Sequence, residues 1–499
     1  MKKYIASLIT VFTLALIALP LIAHADQKAS LNDEIIYDII VDRFNNGRQA
    51  PSDQVDVKNP LTYNGGDIKG ITMMLDSIEE HGFTTISLSP IMENAPSAYH
   101  GYLIEDFLTV EDEFGSLEDL QELVEEAHKR EIKVFIELVT NYAAKSNPLV
   151  EAEASSDWFT EIKAEPIDST VWLEDAVQFD QRNEDAQAYL IDVANYWMDE
   201  TDIDGYVLHA TDQMDESFLT QLTEHIKEKN PKFYLIAESL QGANLEHLCS
   251  NEGLDAIAHQ ALYEKINEVF AKVDSPVSEL YDLTKQTECD KMLLFADNKN
   301  TARFSNVFAD EGRNAVTTWT LTLAYLYLTP GVPKIYQGSE VPMYGPGYPE
   351  NQYIVDMISE DPELKKIFER MASTRTMFPP LVDGDFEQVA TDEGFSLFKR
   401  SIDNQVVYFA INNDSRSRYV TLDDLPDDIQ LKGLFHDDTV RANKEGQFRV
   451  GLDRESAEIF IIQSNAGINW SFIGLVSGIM LLFIISIIFL SIKQKRRQQ

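Results

Sequence analysis

Four polar residues stand where apolar runs end, and their types decide what chemistry the chain can do. Glu137 lies near the end of "IKVFIELV" (132–139), His209 closes "DGYVLH" (204–209), Glu238 lies in "FYLIAES" (233–239), and Asn300 follows "KMLLFAD" (291–297) by three places. Carboxyl groups at such positions do nucleophilic and acid–base work, one attacking a carbon while another passes a proton. An imidazole at 209 is neutral or cationic and an amide at 300 offers only a dipole, so neither supplies a fixed negative charge. Asp212 lies three places past His209 and is the nearest substitute carboxylate, although that offset aims it away from the strand end.

The elements that position these residues follow from the pattern around them. From Ile35 to about Thr374, short apolar runs alternate with amphipathic stretches, the rhythm of repeated βα units and a parallel sheet. "TTISLSP" (84–90) and the four runs above are the clearest strands. "SLEDLQELVEEAHKR" (116–130) reads as a helix opened by Ser116 with Asp119 three places on. Between Tyr142 and about Asp180 the rhythm fails, which marks an insertion. After about Pro380 the pattern becomes all-β: "FSLFKR", "QVVYFAINN", "RYVTL" and "EIFII" alternate between turns, as in a small sandwich.

The ends of the 499-residue chain read differently. "MKKYIASLITVFTLALIALPLIAHA" has a basic start, an apolar body and a small-x-small finish, so residues 1–25 are expected to be a signal peptide, the alternative being an uncleaved membrane helix. Ser471 to Ile492 carry no charge over about 22 residues, enough at about 1.5 Å each to span a hydrocarbon core of about 30 Å. "KQKRRQQ" follows, and its cations place the tail (493–499) in the cytoplasm and the large segment outside. Gly474 and Gly478 offer a small-xxx-small face for helix pairing, in a dimer or with another membrane protein. The formal net charge of −42 repels polyanions and excludes a nucleic-acid partner. Cys249 and Cys289 are the only cysteines; a bridge and two buried thiols both fit their spacing, and a metal site does not.

"YDIIVDRFNNG" (37–47), "GGDIKGI" (65–71), "TTISLSPIMENAPSAYHGY" (84–102), "FGSLEDLQELVEEAHKREIKVFIELVTN" (114–141) and "GVPKIYQGSEVPM" (331–343) together resemble the α-amylase family, glycoside hydrolase family 13. The resemblance implies a (β/α)8 TIM barrel over 26–385 with a domain-B insertion after strand 3 (142–180), and a C-terminal β-sandwich over 386–465. It places the active site at the C-terminal ends of the strands. Retaining members of such families hold two carboxyl groups about 5–5.5 Å apart. By the family pattern, Glu238 occupies the proton-donor position, His209 the nucleophile position and Asn300 the stabiliser position. Val207 stands where the pattern has arginine, Lys299 where it has histidine, and Tyr142 likewise. His100 and Tyr102, in "YHGY", match positions that hold the sugar. Calcium, where the family binds it, implies Asn141, Asn46 and Asp67 as oxygen ligands, with Arg48 intruding among them.

With two of three acids replaced, the centre lacks the negative charge that an oxocarbenium-like transition state needs. The favoured expectation is a membrane-anchored, extracellular, catalytically degenerate protein that binds α-glucan or acts as a surface scaffold. An active α-glucan hydrolase or transglycosidase with an unorthodox site, and an ectodomain subunit of a membrane protein like the transporter heavy chains, stand beside it. Glu238 is on these readings either a retained acid or a polar strand end, and His100 and Tyr102 either sugar contacts or packing.

Overall fold

The computed structural model describes all residues except 1–29, 49–54, 163–167, 241, 243–244, 288, 357–358, 360, 466–469 and 498–499. Eight parallel strands close into a barrel in chain order: β1 (Ile36–Ile39), β2 (Thr85–Leu88), β3 (Lys133–Leu138), β4 (Gly205–Leu208), β5 (Tyr234–Ala237), β6 (Ala256–Ala258), β7 (Met292–Leu294) and β8 (Val332–Tyr336). The last closes on the first, with Ile36 opposite Lys334. Side chains alternate across each strand, so residues two apart share the barrel interior. Ile36, Phe135, Val207, Ile236 and Val332 form an apolar layer there. Two places further along each of those strands stands Asp38, Glu137, His209, Glu238 or Lys334. The period of the strand thus stacks a ring of polar groups on an apolar floor at the C-terminal end. Gly205 is needed where β4 meets its neighbours: a Cβ there would lie 2.8 Å from the Phe135 ring and from the Tyr234 carbonyl oxygen.

The helix expected after Ser116 spans Leu117–His128, with Ser116 and Asp119 exchanging reciprocal hydrogen bonds with each other's backbone N–H. The insertion after β3 carries a three-stranded sheet, Tyr142–Ala144 and Phe159–Thr160 flanking Ala176–Phe179, and a short 3-10 stretch over Asp168–Asp175. The helix Ala315–Leu328 is apolar nearly all round because it is covered on both sides, by the barrel and by the C-terminal domain. That domain pairs a six-stranded antiparallel sheet with a two-stranded one, Arg418–Leu422 against Phe448–Leu452. Alternation again splits its strands: Tyr408 and Ala410 face the core between its sheets, while Val407, Phe409 and Ile411 join the barrel's core. Buried Arg400 fastens the two domains by donating to the carbonyls of Leu328 and Gly384 at 2.8 and 3.0 Å. Cys249 and Cys289 are disulfide-bonded.

The expected signal peptide, 1–25, lies outside the described residues. The expected membrane span falls in a helix, Trp470–Arg497, whose side chains are described only from 473 to 488. Among the described residues, no helix is long and apolar enough to cross a membrane.

Candidate functional site

The polar ring at the barrel's C-terminal end is a closed charge cluster. Glu137 sits at its middle, fully buried: Lys299 Nζ donates to Oε2 at 2.7 Å, and His209 Nδ1 donates to Oε1 at 2.7 Å. Tyr102 Oη adds longer contacts to both oxygens, at 3.3 and 3.4 Å. Lys299 also lies 3.8 Å from Asp38 and 3.9 Å from Glu238. Lys334 donates to Asp38 Oδ2 at 3.2 Å and to Glu238 Oε1. Three carboxylates therefore face two ammonium groups and one imidazole, all within a few ångströms and away from water.

This arrangement decides the protonation of the one retained acid. Burial pushes the Glu238 carboxyl up, but Lys334 and Lys299 outweigh burial and hold it below the usual carboxylate range. Glu137 is pulled the same way: burial raises it, and Lys299 and His209 together overcome that. Both lysines in turn are held above the ordinary ammonium value, because the carboxylates outweigh their desolvation. A general acid for glycoside cleavage needs a raised pKa so that a proton is present to give. Glu238 is ionised and clamped by a cation instead.

Of the residues read from the sequence, Glu137, His209, Glu238, Lys299, Tyr102 and His100 meet here. Asn300 does not join them. It lies in the turn after β7, its backbone N–H bonded to Asn298 at 2.8 Å, and among the described residues no hydrogen bond or ion pair ties its side chain to the cluster. Asp212 is turned elsewhere, because Ala210 takes a left-handed conformation (φ 52°) and the carboxylate accepts from the Leu240 N–H at 2.9 Å. Val207 belongs to the apolar floor.

His100 and Tyr102 are not an open platform. Tyr102 is 4% exposed, stacked on Trp172 at 4.9 Å and on His100 at 5.3 Å, with His209 at 4.4 Å. Burial, reinforced by Arg43 and His209, pushes the His100 pKa down to about 3. Its Nδ1 accepts from the Tyr102 N–H, so the ring is neutral with that nitrogen bare.

The residues named for calcium do not fit it. Asp67 caps the helix Ile68–Glu80, and its carboxylate accepts from the N–H groups of Gly47, Arg48 and Gly70. The Asn141 amide donates to the carbonyls of His209 and Ala210, and its oxygen accepts from Gln181 at 2.8 Å. Asn46 packs beside Gly65. Among the described residues, no group of three or more His, Cys, Asp or Glu side chains is placed to hold a metal.

Asp38, Lys334 and Trp172 escape a motif-based reading. Asp38 and Lys334 were detectable as lone opposite charges inside two otherwise apolar strands, "IIYDII" and "GVPKIY". Charges so deep in a barrel persist only when paired. Trp172 carried no such mark.

Comparison with known proteins agrees with this architecture. Residues 38–379 match the alpha-amylase catalytic domain and residues 384–460 the alpha-amylase C-terminal domain. The chain belongs to the alpha-amylase family. It is similar to an alpha-amylase from Anoxybacillus, at 36% identity over 88% of this chain and 100% of that one, with a TM-score of 0.83. An alpha-amylase from Geobacillus thermoleovorans, solved in complex with acarbose, is 35% identical with the same coverage and a TM-score of 0.80. A cyclomaltodextrinase from Geobacillus thermopakistaniensis is 26% identical over 424 residues, 79% of this chain and 71% of the relative.

Proposed function

We propose that this protein is a non-hydrolytic member of its family that binds α-glucan, or displays its fold as a scaffold, at the outer face of a membrane. The observation that carries the proposal is the clamp on Glu238. An acid whose proton is displaced by two buried ammonium groups has no proton to donate, and the nucleophile position beside it holds an imidazole bonded to Glu137. Retained His100 and Tyr102, and a relative crystallised with acarbose, favour sugar over a wholly empty scaffold.

Anchoring rests on the C-terminal segment. The described part of its helix exposes Leu475, Ile479, Leu482, Phe483 and Ile485, an apolar surface that water would not tolerate on a free helix. The uncharged stretch in the sequence extends past both ends of that part, to 471 and 492. The Cys249–Cys289 bond suits an oxidising exterior. The test of function is turnover of malto-oligosaccharides and aryl α-glucosides by the full-length protein, which should stay at background and be unaffected by Glu238→Gln. The test of topology is protease added to intact cells, which should remove the barrel and spare an epitope placed after Lys493.

A further inference from the structure

The stretch Asp168–Asp175 of the insertion is an unusual cover for a polar centre. It is broken at Thr170 (φ −125°, ψ 24°), Val171 is 44% exposed, and Glu174 and Asp175 point to solvent. Trp172 and Leu173 carry large side chains inward from it, and Trp172 is 5% exposed. Its ring stacks on Tyr102 at 4.9 Å and meets Tyr142 edge-on at 5.5 Å, with His209 at 5.9 Å. Three buried polar atoms in this one cluster have no hydrogen-bond partner among the described residues: Trp172 Nε1, Tyr142 Oη and His209 Nε2. A fold normally satisfies such atoms, because an unmet buried donor or acceptor forfeits its hydration for nothing.

We propose that Trp172 is a displaceable plug over the His209 centre, holding shut a site for a neutral, polyhydroxylated ring such as a glucosyl unit. The chemistry of the unmet atoms selects that class. His209 Nδ1 is engaged by Glu137, which leaves Nε2 as the ring's unmet polar atom, while Tyr142 Oη both gives and takes. A ligand must then supply hydroxyl groups that donate and accept, together with a flat apolar face for the Tyr102 ring that Trp172 now covers. A free carboxylate or phosphate finds both ammonium groups of the cluster already paired with carboxylates, and is disfavoured. The choice of ligand rests on the α-glucan reading; the plug itself does not.

The experiment separates the two. Both native cysteines are paired, so His209→Cys introduces the chain's one free thiol, and its rate of alkylation in the full-length protein reports access to the centre. Adding Trp172→Ala should raise that rate about tenfold or more, as expected if the plug is open a tenth of the time or less. Trp172→Phe should leave it slow, which distinguishes removal of a plug from general loosening. If His209→Cys does not fold, Tyr142→Cys, at the ring that Trp172 meets edge-on, gives the same readout. Maltotriose should bind the Trp172→Ala protein, with His209 intact, about tenfold or more tightly than the parent by calorimetry. Equal rates with and without the indole would overturn the plug. Faster alkylation without tighter maltotriose binding to Trp172→Ala would keep the plug and remove the α-glucan ligand.

Discussion

Lys299→Met tests whether the cluster is held together by charge compensation. The ammonium is 2.7 Å from Glu137, 3.8 Å from Asp38 and 3.9 Å from Glu238, and it is nearly inaccessible to water. Methionine keeps most of the stem's volume, so packing is little changed and the loss is electrostatic. Removing one partner of a buried pair leaves an uncompensated charge and costs about 3–5 kcal/mol. With an unfolding entropy of about 2.1 cal/mol/K per residue over the roughly 440 residues of the two domains, that is a fall of about 3–6 °C in melting temperature. The deficit should also depend on pH in a definite direction. In the parent, Glu137 and Glu238 sit below their unfolded values, so their contribution is present above the unfolded pKa of about 4.3 and is lost as pH falls through the folded values. In the variant, burial dominates at Glu137, its pKa rises, and protonation on mild acidification relieves the strain. The gap between parent and variant, read by thermal melts of full-length protein, should be widest near neutral pH and close below about pH 5. Adding Glu137→Gln should recover much of the loss. A deficit under about 1 kcal/mol that is flat with pH would refute the reasoning, because it would mean the lysine neutralises nothing.

Other outcomes follow from the same geometry. His100 is neutral in the fold with a pKa near 3 and titrates near 6.5 when unfolded, so its contribution is complete above about pH 6.5 and declines below it, by about 3 kcal/mol at pH 4; His100→Asn should lack that part of the acid-side loss in denaturant titrations at several pH values. Chelation with EDTA should leave the melting temperature unchanged, since the oxygens of Asp67 and Asn141 are committed to protein donors. Restoring acids with His209→Asp, Asn300→Asp and Val207→Arg should yield measurable glycosidase activity only once Lys299→His also frees Glu238 from one of its cations, and any such activity should vanish on Glu238→Gln.

The barrel was legible because strand and helix periods repeat from Ile35 onward, and each strand's apolar run fixed which residue ended it. That put His209 and Glu238 at one end of the barrel without further information. The capping pair Ser116 and Asp119 likewise announced its helix. The state of the site was not legible in the same way. Glu238 looks like a proton donor by position, and only the three-dimensional approach of Lys334, 96 places away in the chain, makes it an ionised clamp. Tyr102 looks like a sugar platform by motif, and only the insertion's Trp172, in a segment without periodicity, reveals that its ring is covered. The calcium set failed for a similar reason: Asp67 is a helix cap, and a cap and a metal ligand use the same lone pairs.

The central claim is that a clamped Glu238 beside His209 performs no hydrolysis. The most direct measurement is turnover of a 4-nitrophenyl α-malto-oligosaccharide by full-length wild-type protein alongside Glu238→Gln, at saturating substrate and over long incubation. The predicted result is background release from both, indistinguishable from each other. Robust wild-type turnover that Glu238→Gln abolishes would contradict it, and would mean that Glu238 holds a proton despite Lys334 and Lys299.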